Sequence, residues 1–138
     1  MPLNSFYPKE GVVAIAVVTT LCDSLIRSVD IYPLVNRLWK TELFDDYSGD
    51  ELLTMVERFL DIAEEKGLRV LFNAACDSLS YDLVPDAFAI GVMMLMDDSG
   101  VIPTQKMGFL RELQQALELG DEQAQQICND YRRYSCRF

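Results

Sequence analysis

The chain has 138 residues, half of them apolar, and carries 22 acidic against 12 basic side chains for a net charge of −10. That length suits one domain with a true core, and the apolar content excludes a chain that stays unfolded. The charge opposes binding to nucleic acid and anionic lipid, and the absence of histidine removes the usual general base and the commonest imidazole ligand.

Residues 1–10 hold Pro2 and Pro8 and read as an irregular lead-in. Gly11 to Ile26 is apolar almost throughout and is expected to form a helix buried on most sides, its length outweighing its β-branched content. It is shorter than the ~20 residues a bilayer requires, so no transmembrane segment is expected. A signal peptide is not expected either, because Glu10 cancels Lys9 and no small-x-small cleavage site follows. Asp30 can cap the next helix, with Pro33 in its first turn and Leu34, Val35, Leu38 and Trp39 on one face. Ser48 and Glu51 form a capping box that opens a helix burying Leu52, Leu53, Val56, Phe59, Leu60 and Ala63, with Gly67 as its stop. Residues 68–80 make a short, mostly buried helix. Asp82 is expected to cap the next, with Pro85 in its first turn, and Gly100 to end it. Pro103 opens a sixth helix with a core stripe of Met107, Leu110, Leu113, Ala116 and Leu117. Leu119-Gly120 closes that helix, and Asp121 starts the last. This reading is a single all-α domain of seven helices, followed by a basic aromatic tail at 131–138.

Within that order the chain repeats itself. AIAVVTTLCDSLIRSVDI at 14–31 and FAIGVMMLMDDSGVIP at 88–103 each climb through an apolar run to an aspartate and then to Val29 or Val101. Each continues into an amphipathic stretch and reaches Gly-Asp-Glu, at Gly49-Asp50-Glu51 and Gly120-Asp121-Glu122. The offset drifts only from 74 to 72 to 71 residues. The expectation is two three-helix halves related by internal duplication, with residues 68–80 as the linking helix.

The order and punctuation of these residues resemble the tellurite-resistance TerB-like family over roughly residues 12–130. The second half, Phe88–Ile127, carries the better match through Asp97-Asp98-Ser99-Gly100, Val101 and Gly120-Asp121-Glu122; the first matches through Asp23, Val29 and Ser48-Gly49-Asp50-Glu51. In this chain Asp23 is followed by Ser24 where the family often has glycine, and Pro103-Thr104-Gln105-Lys106 stands where it often has paired glutamates. The resemblance implies a compact all-α accessory of stress response, an interaction or metal-sensing protein more than a catalyst.

Asp23, Asp97 and Asp98 are the candidate cation ligands. At equivalent helix C-terminal ends their carboxylates face the negative end of the dipole, and a bound Ca²⁺ or Mg²⁺ would relieve this. The competing reading is that they bond turn amides. An EF-hand is excluded, since Ile102 and Gly108 stand where its glycine and glutamate belong. The stretch Glu42–Glu65 holds nine acids against the single base Arg58. Within it Asp45, Asp46, Asp50 and Glu51 are the candidate contacts for a partner with a basic surface; the competing reading is a solvated face. In the tail, Arg132, Arg133 and Arg137 alternate with aromatics, a pattern suited to self-docking or a homodimer contact more than to nucleic acid. Met93, Met94, Met96 and Met107 read as core filler rather than soft-metal ligands. Cys22, Cys76 and Cys128 read as small buried hydrophobes, and Cys136 as an exposed thiol, in a reduced cytoplasmic protein. No nucleophile–base pairing is apparent, so the expected role is non-enzymatic: docking of a basic partner, or alternatively divalent-cation binding.

Overall fold

A computed structural model describes residues 7–21, 31–96 and 101–135. Among them lie seven α-helices, three single 3-10 turns and no strand. The helices are α1 (Pro8–Leu21), α2 (Ile31–Trp39), α3 (Gly49–Lys66), α4 (Leu68–Ser78), α5 (Val84–Leu95), α6 (Met107–Ala116) and α7 (Asp121–Ser135). The architecture is an all-α bundle, as the periodicity predicts.

The bundle is built around α1. Gly11 through Thr19 and Leu21 are all buried, so this helix has no solvent face over most of its length. It begins three residues earlier than the sequence suggests, because Pro8 is tolerated in a first turn and Glu10 accepts the Tyr7 amide at 2.9 Å. Its two threonines do not leave polar atoms stranded: Thr19 and Thr20 donate to the carbonyls of Ile15 and Ala16 at 2.7 and 2.9 Å. α4 and α5 pack most extensively against α1, followed by α3 and α2. The approach to α4 is close, since a Cβ added at Gly11 would lie 3.0 Å from the Ala75 carbonyl oxygen. A Cβ at Gly91 of α5 would lie 2.5 Å from Leu113 Cδ2 of α6, so the small residue sets that spacing as well.

The expected capping box is present at the start of α3. Ser48 Oγ accepts from the Glu51 amide and Glu51 Oε1 accepts from the Ser48 amide, each at 3.1 Å. Leu52, Val56, Phe59 and Ala63 form the buried stripe that follows, with Leu53 and Leu60 half-buried at its edge. α2 buries Leu34, Val35 and Leu38, but Trp39 is 53 % exposed. Its ring lies over the backbone of Gly49, within 3.7 Å of where a Cβ would stand, so it covers the α2–α3 connection instead of entering the core. Between these helices Phe44 is fully buried and meets Tyr47 edge-on at 5.7 Å.

The second half departs from expectation in its helix starts. Asp82 lies inside a 3-10 turn, Tyr81–Leu83, and caps nothing; α5 begins at Val84, with Pro85 second. Likewise Pro103 precedes a 3-10 turn, Thr104–Lys106, so α6 starts only at Met107. That delay leaves Met107 37 % exposed and Ala116 exposed, while Leu110, Leu113 and Leu117 are buried. Met94 and Met96 are core residues and Met93 packs against the core from a half-buried position. α7 runs on through Ser135, so the first five residues of the basic segment are helical. The expected cap Asp30 and stop Gly100 lie outside the described residues.

No single helix among the described residues is long and apolar enough to cross a membrane. Leu68–Ser78 and Tyr81–Leu95 reach that composition only together and are bent by 115° at their break. Burial of Leu71, Phe72, Phe88, Val92 and Leu95 in the bundle accounts for their apolar content.

Gly67 alone separates α3 from α4, at φ 100° and ψ 154°, and donates its amide to Ala63 at 2.9 Å. This backbone region is nearly exclusive to glycine. Nothing lies within 4 Å of an added Cβ, so the cost of Gly67→Ala is conformational alone. We expect it to lower unfolding free energy by about 1–3 kcal/mol in urea titration, with the m-value unchanged.

Candidate functional site

Two surfaces stand out once the bundle is in view: the acidic outer side of α3 with the turn before it, and a cleft where α4, α5 and the α6–α7 turn meet.

The four acids expected to contact a partner divide into two kinds. Asp46 is engaged by Lys9 Nζ at 3.2 Å, and Glu51 is the reciprocal half of the capping box. These two carboxylates have structural work inside the fold. Asp45 and Asp50 are exposed. Further along α3, Glu57, Asp61 and Glu65 are exposed, following Asp50 at successive spacings of seven, four and four residues, on the side opposite the buried stripe. The one base of the stretch, Arg58, bonds Glu10 Oε2 at 2.8 Å and so ties α3 to α1. Of the four expected contacts, Asp45 and Asp50 are thus exposed and Asp46 and Glu51 engaged, and the exposed acidic row continues along α3 through Glu57, Asp61 and Glu65.

The candidate cation ligands Asp23, Asp97 and Asp98 lie outside the described residues, as do Cys22 and Cys136. Among the described residues no group of three or more acidic, cysteine or histidine side chains is placed to hold a metal ion.

The cleft has a volume of about 400 Å³. Val84, Pro85 and Leu117 are among its apolar walls, Cys76 lies on its lining, and Tyr81, Glu118 and Gln123 bring polar atoms to it. The α6–α7 turn that forms one wall is a Schellman closure. The Leu119 amide donates to the Gln114 carbonyl and the Glu118 amide to the Gln115 carbonyl, each at 3.1 Å. This puts Glu118 in the left-handed position at φ 58°, where an L-residue costs roughly 1–2 kcal/mol. Leu119 decides this register: its side chain is buried, and Gln114 Nε2 reaches both the Leu119 carbonyl at 3.2 Å and Asp121 Oδ1 at 2.8 Å. The glycine that the sequence offers as the stop, Gly120, comes two residues too late for the role.

Cys76 is half-buried, and burial, reinforced by the neighbouring Asp77 charge, pushes its thiol up to about 11. It is a neutral, weakly nucleophilic group at physiological pH. Cys128 is also half-buried. Neither cysteine is the fully enclosed hydrophobe expected from the apolar pattern.

A second depression, of about 320 Å³, lies where Val18, Phe72 and Phe109 approach. Arg69 and Glu112 bridge α4 and α6 at 2.9 Å beside it, both substantially exposed, so this pair adds little stability. The Phe72 and Phe109 rings meet edge-on at 5.8 Å.

Comparison of the chain with protein-family models, curated proteins and solved structures finds no match.

The thiol of Cys76 makes a pH prediction. Its folded-state value of about 11 exceeds the ordinary 9.0, so between these values the folded chain holds a proton that the unfolded chain has lost. The stabilisation is complete below pH 9 and is lost as pH rises through 11. Stability followed by urea titration across that window should fall more steeply for the native chain than for Cys76→Ala.

Proposed function

We propose that this protein is a non-catalytic helical accessory that docks proteins with basic surfaces through the outer side of α3. The observation that carries this reading is the row Asp50, Glu57, Asp61 and Glu65, all exposed on one side of a long helix. Glu57, Asp61 and Glu65 stand four apart, an arrangement of like charges that weakens an isolated helix by a few tenths of a kcal/mol per pair. A basic surface laid along the row would convert that repulsion into attraction and raise the encounter rate. Asp45 extends the same field into the preceding turn.

The chemistry of the chain supports the non-catalytic part. It has no histidine, and the thiol at the cleft is held in its protonated form. The helix order supports the reading of two related halves, α1–α3 and α5–α7, joined by α4. The leading helices α1 and α5 pack together at the centre, α1 contacts α2 and α3, and α5 contacts α6 and α7. The resemblance of the sequence to the TerB-like family is in keeping with this reading, and on that resemblance alone we propose a setting in stress response.

The test is a variant with Asp50→Asn, Glu57→Gln, Asp61→Asn and Glu65→Gln. These side chains are exposed and outside the core, so its melting temperature should match or slightly exceed that of the native chain. Proteins captured on the tagged native chain at about 50 mM salt should be basic, should elute below about 500 mM, and should be missing from the variant. Capture of the same proteins by the variant, or a captured set that is acidic, would contradict the reading.

A further inference from the structure

We infer that the cleft between α4, α5 and the α6–α7 turn binds a small organic cation, an ammonium group carrying an apolar body. This site shares no residue with the acidic row of α3 and does not depend on the docking role.

The size of the cleft comes first. About 400 Å³ falls within the range of roughly 300–1,000 Å³ typical of small-molecule sites. Its walls are apolar where Val84, Pro85 and Leu117 line it, and Cys76 adds a polarizable, uncharged surface. An apolar body therefore has somewhere to go.

Charge selects what that body must carry. No residue lining the cleft is basic. Glu118 belongs to the lining and is exposed, which places it at the mouth. Asp77, Asp82 and Asp86 are chain neighbours of the lining residues Cys76, Tyr81 and Pro85. An anion would meet repulsion from Glu118, the one acid among the lining residues. A cation would meet a negative potential that no lining base offsets.

Tyr81 gives the cation a specific contact. The residue is 95 % exposed, more than any other large hydrophobic among the described residues, yet it belongs to the cleft lining. A tyrosine face and a carboxylate lining the same cleft are a favourable setting for an alkylammonium or quaternary ammonium, which gains from the ring quadrupole without having to shed its charge. The left-handed backbone at Glu118 (φ 58°) fixes that carboxylate-bearing residue at the turn, opposite the segment that carries Tyr81. The two polar contacts are therefore held by separate elements around one pocket of mixed apolar and polar lining.

Benzyltrimethylammonium is a suitable probe, with benzyl alcohol and benzoate as neutral and anionic comparators of similar shape. Titration into the ¹⁵N-labelled full chain should give saturable amide shifts confined to residues 76–85 and 116–123. Both comparators should bind at least about fivefold more weakly. Glu118→Asn removes the charge while keeping a residue that accepts the left-handed backbone. It should weaken the cation about three- to fivefold and leave benzyl alcohol unchanged. Tyr81→Leu should weaken it by a similar factor. The inference is overturned by any of four results: no saturable shift up to about 10 mM probe, equal binding by benzoate or benzyl alcohol, unchanged affinity in both variants, or shifts centred on 50–65, which would mean condensation on the α3 acids.

Discussion

The constraint on which the structure depends is the complete enclosure of α1. A helix whose residues from Gly11 to Thr19 are all buried cannot lie on a surface, so other helices must cover it from every side. Each of its valines, isoleucines and leucines removed from water is worth about 1.5–3 kcal/mol, which makes this helix the largest concentrated source of stability in the fold. The other elements can be read as its cover: α4 close along one side because Gly11 admits the Ala75 carbonyl, α5 along another, α3 and α2 closing the rest. The polar atoms that this burial would strand are few. The two threonine hydroxyls bond back within the helix, and among the described residues no buried side-chain nitrogen or oxygen lacks a partner.

How far the sequence speaks for this arrangement varies with the kind of signal. Ser48 and Glu51 are legible because a capping box is a local device: two side chains and two amides, three residues apart, whatever the tertiary setting. Gly67 is legible for a similar reason, since its backbone conformation admits little else. Trp39 is not, because its apolar character argues for burial while its actual position is set by the chain returning to Gly49 beneath its ring. Met107 falls on the right spacing for a core stripe, but a 3-10 turn delays the helix and shifts that end of the stripe toward solvent. The α6 stop is the most instructive case. Gly120 has the right chemistry for a left-handed closure, but burial of Leu119 fixes the register, so Glu118 takes the strained position.

The two candidate surfaces follow the same division. The acidic row of α3 is visible in a helical projection because it lies on one element, though which acids are already engaged is not: Lys9 and the capping box claim Asp46 and Glu51 only through the folded chain. The cleft could not have been read from sequence, because Cys76, Tyr81, Pro85 and Glu118 come from separate elements and no spacing links them. Both surfaces share the chain's negative charge but differ in what they can hold. The α3 row extends along one side of a single helix, the setting we propose for a macromolecular partner. The cleft is concave and lined by both apolar and polar groups, the setting we propose for a small cation.

Native-state hydrogen exchange of the α1 amides tests the central claim most directly. If α1 is the enclosed axis of the bundle, the amides of Val13 to Val18 exchange only when the whole molecule unfolds. Their exchange free energies and denaturant dependence then equal the global values from urea titration. Exchange of these amides with free energies several kcal/mol below the global value, through openings that leave α4 and α5 protected, would show that the rest of the bundle stands without α1 and would contradict the account.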